Sequence, residues 1–196
     1  MILTPEQIHR YKQDGTIVIK DIFKSWINIL REGFEEVLKK PGPHARENTS
    51  INEKGRFFED YCNWDRIPEF VKFVKESPAA QIVAEATNSK SIQVFHDHIF
   101  VKEPSTSKPT PWHQDMPYYC VEGENTGSFW IPLDEVNKEN TLKLILGSHK
   151  WPKLIQPTKW SNDKPWYKNK KDFMEMPSIE TLNLSLIHIS EPTRPY

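Results

Sequence analysis

Glycine is scarce in this chain, with seven in 196 residues, and only two cysteines occur, Cys62 and Cys120. The cysteines lie far apart in sequence and lack metal-ligand spacing, so free thiols in a reducing cytoplasm are expected rather than a disulfide. No stretch reaches the roughly 18 consecutive apolar residues of a membrane span. The opening Met1-Ile2-Leu3-Thr4-Pro5-Glu6 has neither the basic start nor the apolar run of a signal peptide. An excess of one charge is missing too. Twenty-six Lys and Arg against twenty-seven Asp and Glu leave a net charge of −1. That balance excludes a basic surface of the kind that binds nucleic acid or anionic membranes. There are no internal repeats and no low-complexity tracts. What the chain has instead is sixteen prolines, seven tryptophans and an aromatic content of 12% beside a modest 37% of hydrophobic residues. Aromatic side chains supply much area each, so a core is within reach, and the prolines predict turn-rich connections. The length suits a single domain.

The order of elements predicts an α+β fold with a mainly β core. Thr4, Pro5 and Gln7 form a capping box with proline at the first helical position, and Gly15 ends that helix. Thr16 to Ile19 is a β-branched run and predicts a strand. Apolar residues at 22, 26, 29, 30, 34, 37 and 38 give a helical period up to Lys40, where Pro41-Gly42-Pro43 stops it. His44 to Asn63 reads as a polar loop with an aromatic insert at Phe57-Phe58. Ile67 to Thr87 reads as one or two helices broken at Pro78. Strands are expected at Ser91–Lys102, Trp112–Val121, Thr126–Leu133 and Leu142–Leu146, with no clear element beyond Trp151. Helices first and short strands afterwards suggest a sandwich or barrel.

The sharpest chemical feature is Trp112-His113-Gln114-Asp115. On a strand, residues i and i+2 share a face, so an imidazole and a carboxylate would stand side by side. Together they are two-thirds of the two-His, one-carboxylate set that holds non-haem Fe(II) with open positions. An H-x-D tripeptide alone is a weak signal that reads more readily as a surface His and Asp beside a loop. His96 and His98 are a second i, i+2 pair. They leave open a cupin-type metal site of His96, His98 and His113, or a pocket residue and a structurally satisfied one. His149, after Gly147-Ser148, reads as a capping or loop residue.

Context sharpens the tripeptide. Lys102-Glu103-Pro104, the HQD at His113 to Asp115, Trp130 followed by Leu133-Asp134, and Gly147-Ser148-His149-Lys150-Trp151 occur in order. With the opening Leu3 to Ile19, this pattern resembles the phytanoyl-CoA dioxygenase family, Fe(II)- and 2-oxoglutarate-dependent oxygenases, over about residues 1–180. The resemblance implies a double-stranded β-helix (jelly roll) wrapped by N-terminal helices, with His113 and Asp115 as Fe(II) ligands. It implies that Trp130 and His98 line the 2-oxoglutarate pocket and that Gln114 points toward packing. Partners would be 2-oxoglutarate, O2 and a small organic substrate to be hydroxylated, with no nucleic acid or membrane. Glu139-Asn140-Thr141-Leu142 departs from the family, where many members have Asn-Gly before the Leu, a change confined to a turn.

The family also needs a distal His and an Arg that pairs with the far carboxylate of 2-oxoglutarate. After His149 the chain offers only His188, followed by Arg194. The run Leu184 to Tyr196 resembles the in-frame translation of a transposase-type sequencing adaptor and follows Met176–Ile179 too soon. The expectation is therefore a partial domain over 1–183, an incomplete jelly roll, and a non-native tail over 184–196. A metal-free jelly-roll binding module, with Tyr118, Tyr119 and Trp130 as an aromatic platform, is the reading from a different class.

Overall fold

The structure, a computed structural model, describes residues 1–49, 52, 54–106, 109–159, 164–182 and 184–186. The chain divides into two compact units, Met1–Lys20 with Glu85–Asn88 and Thr110–Tyr196, and Asp21–Ala84 with Ser89–Pro109.

The first unit opens on α1 (Pro5–Asp14), whose start is written locally. Thr4 accepts from the Gln7 N–H while the Gln7 side chain accepts from the Thr4 N–H. Upstream, the Glu85 carboxylate accepts the N–H groups of Ile2 and Leu3, and Leu3 is fully buried. The far end of α1 is closed by residues more than 130 positions later. The Gly147 N–H donates to the Asp14 carbonyl at 2.8 Å, Lys150 Nζ to Gln13 at 2.9 Å, and His149 Nε2 to Lys12 at 3.2 Å. Carbonyls that a helix leaves unpaired in its last turn are thus satisfied, two of them by basic side chains suited to the helix dipole. This is the structural role of the Gly-Ser-His-Lys-Trp stretch, and His149 is a capping residue. Gly15 sits at φ +79°, where an added Cβ would overlap the His149 ring. Gly15→Ala is expected to destabilise the chain by more than about 1 kcal/mol, from backbone strain plus the displaced cap. Urea unfolding measures it.

The rest of this unit is irregular. Short strands β4 (Lys143–Ile145) and β7 (Leu184–Leu186) pair antiparallel, and β5 (Leu154–Ile155) and β6 (Phe173–Met174) pair parallel. Three expected strands are corrected here. Trp112–Val121 is irregular and contains a 3-10 turn at Met116–Tyr118, since Pro111 and Pro117 lack the N–H a ladder needs. Residues 16–19 and 126–133 also form no strand. Their β-branched residues suit a strand only where a partner supplies the ladder, and around Thr126 and Ser128 side-chain hydrogen bonds take its place.

The second unit packs α2 (Ile27–Lys39) on α3 (Pro68–Glu76), beside a sheet of order β1 (Arg46–Glu47), β2 (Phe57–Tyr61), β3 (His98–Lys102). Leu30 and Val37 of α2, Phe70 of α3 and Phe57 and Phe58 of β2 are buried. At Gly33 a Cβ would stand 2.6 Å from the Phe70 ring, so glycine lets the two helices approach. The helix α4 (Ala79–Thr87) begins just after Pro78, the break expected there.

The stretch read as a polar loop holds β2, the most buried strand, with Glu59 and Asp60 inside. Conversely, the long strand expected from Ser91 begins only at His98. Asp97 ends the ladder by taking the Asn63 and Trp64 N–H groups on its carboxylate, both at 2.7 Å, and the Cys62 N–H on its carbonyl. The result is a mixed helix-and-sheet protein. Strand pairing among the described residues gives three small antiparallel or parallel sheets and does not by itself establish the double-stranded β-helix.

Candidate metal centre

His113 and Asp115 converge in the first unit, with Nε2 3.4 Å from Oδ1. The convergence comes from a turn rather than a pleat. Asp115 leads directly into the 3-10 turn at Met116–Tyr118, its carbonyl accepting the Tyr118 N–H at 2.9 Å. The other ring nitrogen, Nδ1, lies 2.7 Å from the Pro111 carbonyl, which can only accept, so Nδ1 carries the proton and Nε2 faces the carboxylate. The Tyr118 ring stands edge-on to the imidazole at 5.9 Å, and its hydroxyl is pinned between the Thr158 N–H and carbonyl. Trp166 packs edge-on against Tyr118, and the Tyr167 hydroxyl donates to the Pro117 carbonyl. Trp166 and Tyr167, beyond Trp151, therefore back one wall of the site. Gln114 points away from the pair: its amide donates to the Ser148 carbonyl and its carbonyl accepts from the Ile155 N–H.

Burial opposes an imidazolium at His113, yet the Asp115 carboxylate and the Pro111 carbonyl outweigh it and hold its pKa above the ordinary value. The His113 hydrogen bond, against burial, holds the Asp115 carboxyl below its usual range. Two hydroxyls also reach Asp115. Ser128 Oγ donates to Oδ2 at 3.3 Å, and the Tyr119 phenol hydrogen-bonds the carboxylate. Burial and the Asp115 charge push the Tyr119 phenol up to about 12, so it stays a donor. Ser128 was not legible as a site residue, and Tyr119 entered only as part of an aromatic platform. Trp130 is half-buried, two residues past Ser128.

The pair suits a metal ion. Bonds of about 2.0–2.2 Å to an imidazole and a carboxylate at near right angles put their donor atoms about 3 Å apart. With Nδ1 holding the proton, the Nε2 lone pair and Oδ1 face each other at 3.4 Å. Without a cation between them, proton or metal, two such acceptors repel. Among the described residues no three His, Cys, Asp or Glu side chains group as a metal site. His188 and Arg194 lie outside the described residues.

His98 belongs to the second unit, on β3 opposite Tyr61. Its Nε2 lies 3.4 Å from Oε2 of the buried Glu59, and its ring lies 4.3 Å from that of Tyr61. His96 stacks on Phe95. Burial raises the Glu59 pKa, but the polar groups of His98, Asn48 and Tyr61 around it outweigh that and leave the carboxyl low. A carboxyl depressed in the folded state stabilises above its unfolded value of 4.5 and loses that contribution as pH falls through the folded value. Acid unfolding monitored by circular dichroism should therefore be shallower in Glu59→Gln than in the parent chain.

A mixed helix-and-sheet protein with a paired imidazole and carboxylate beside an aromatic wall is the class this fold and site define. The family model for phytanoyl-CoA dioxygenase (PhyH) matches residues 11–180, and the chain belongs to that family. Comparison with curated proteins and with solved structures finds no match. Among the described residues no helix is long and apolar enough to cross a membrane.

Proposed function

We propose that the chain carries the metal-holding half of a non-haem Fe(II)/2-oxoglutarate-dependent oxygenase that hydroxylates a small organic substrate. The observation that carries this is the His113–Asp115 pair, with each ligand oriented from behind by a hydrogen-bond partner. When bound, Fe(II) and 2-oxoglutarate supply the oxidative chemistry, with succinate and CO2 as the products of the co-substrate. His113 offers Nε2 while Pro111 fixes its tautomer. Asp115 offers Oδ1 and a negative charge. Tyr118 and the residues behind it keep one side of the imidazole apolar. Trp130 and His98 hold a cofactor-binding role on the resemblance alone, as does the jelly-roll architecture. Two exposed free thiols suit a reducing, cytoplasmic setting.

We further propose that residues 184–196 stand in place of family sequence that would bring the distal His and the Arg. Leu184–Leu186 nevertheless pair with β4. The test is Fe(II)-dependent succinate formation from 2-oxoglutarate by residues 1–196 and by a version carrying the downstream sequence of the native gene. Turnover is expected in the extended version only, and loss of it in His113→Ala and Asp115→Ala. No turnover in the extended version refutes the oxygenase reading, and robust turnover by 1–196 refutes the tail reading.

A further inference from the structure

We infer that Tyr119 and Ser128 are positioning residues for Asp115, their hydroxyls holding the carboxylate so that Oδ1 faces the His113 Nε2. This rests on the reading of His113 and Asp115 as the metal-holding pair.

Asp115 is half exposed, and an exposed aspartate at the edge of a turn is free to sample several rotamers. Here two separate pieces of chain restrain it. The 3-10 turn reverses the backbone after Asp115, with the Tyr119 N–H donating to the Met116 carbonyl at 3.0 Å, and brings the phenol four residues on back to the carboxylate. Ser128 arrives from the irregular segment after Cys120. That segment is itself tied to the turn where Thr126 Oγ1 donates to Met116 Sδ at 3.4 Å. An ionised carboxylate can only accept, so both hydroxyls act as donors toward it. Ser128 takes Oδ2, the oxygen turned away from His113, and leaves Oδ1 as the atom opposite Nε2. The phenol also lies close to the Ser128 hydroxyl, so the two converge on Asp115 from neighbouring positions and each gives its single proton to the carboxylate. Pro111 plays the matching part behind His113. Each half of the pair is thus set by a partner on its far side, the arrangement that orients metal ligands and raises affinity.

The experiment titrates the full chain of 196 residues with Co(II), a spectroscopic substitute for Fe(II), following its visible absorption. In parallel, infrared spectra record the splitting of the bound carboxylate stretches. Tyr119→Phe and Ser128→Ala are each expected to weaken Co(II) binding by about 10-fold and to change that splitting, as Asp115 turns toward two-oxygen coordination. Ser128→Thr, which keeps the hydroxyl, should restore both readouts, whereas a role in loop packing alone would leave the splitting unmoved. Co(II) binding and carboxylate splitting equal to the parent in both Tyr119→Phe and Ser128→Ala, with binding lost in Asp115→Ala, would overturn the positioning role while leaving the metal pair intact. Binding that survives both His113→Ala and Asp115→Ala would overturn the metal pair, and the positioning role with it.

Discussion

Replacing His113 or Asp115 by Ala is expected to lower Fe(II) affinity by at least about 100-fold, because losing even a partner that orients a ligand costs 10–100-fold. Anaerobic calorimetric titration measures it. Asp115→Asn should lie between the parent and Asp115→Ala, since the amide keeps an oxygen in place but removes the charge. The same titration run against pH carries a sign. Fe(II) must take Nε2 without its proton, and the His113 pKa is raised despite burial by the Asp115 carboxylate and the Pro111 carbonyl. Affinity should therefore fall by about tenfold per pH unit below that raised pKa and level off above it.

The metal-free chain behaves oppositely. A raised imidazole pKa stabilises the fold fully below its unfolded value of 6.5, and that contribution is lost as pH climbs through the folded value. The lowered Asp115 carboxyl contributes above its unfolded value of 3.8 and stops contributing as pH falls through its folded one. The ion pair is thus strongest between those limits, in the range where it competes most with metal. Metal-induced thermal stabilisation should grow from pH 6 to pH 8 even as the metal-free chain becomes slightly less stable. A metal-induced shift that shrinks over that range would contradict the assignment of Nε2 as the donor atom.

Helices were legible because their signals are local. Thr4, Pro5, Gln7 and Gly15 specify both ends of α1 within a dozen residues, and Pro78 separates α3 from α4 as written. The sheet was not, because what buries β2 lies elsewhere in the chain. Glu59 and Asp60 look like surface residues until His98, 39 positions on, and the Gly42 N–H, 18 positions back, supply their partners. The H-x-D spacing singled out His113 and Asp115 through a pleat that is absent. Two prolines block the ladder, and a tight turn brings the side chains together instead. Ser128 gave no signal, since its bond to Asp115 spans 13 residues of irregular chain that no periodicity describes. The Gly-Ser-His-Lys-Trp stretch was recognisable as a pattern, but its work as a distant cap for α1 follows only from the fold.

Asp60→Ala is expected to cost about 3 kcal/mol of unfolding free energy, the low end of the range for breaking a buried charge pair. Asp60 has no exposed surface. Its Oδ2 accepts the Gly42 N–H at 2.7 Å and faces Arg66 Nη2 at 3.7 Å, while Oδ1 accepts the Tyr61 N–H at 2.9 Å. Truncation leaves two backbone donors without that acceptor, each costing about 1–3 kcal/mol if no water replaces it. Arg66 softens the loss, because its side chain is 28% exposed and its Nε still donates to Asn63 Oδ1 at 2.7 Å. Asp60→Asn separates the two contributions. The amide oxygen can serve one backbone N–H, but its NH2 group then confronts the other donor, so about half the loss should remain. Against a typical total of roughly 5–15 kcal/mol, either change is a large fraction. Urea unfolding followed by tryptophan fluorescence gives both values. A loss below about 1 kcal/mol in Asp60→Ala would mean that water reaches the Gly42 and Tyr61 N–H groups, and that Asp60 does not anchor the loop after α2 to β2.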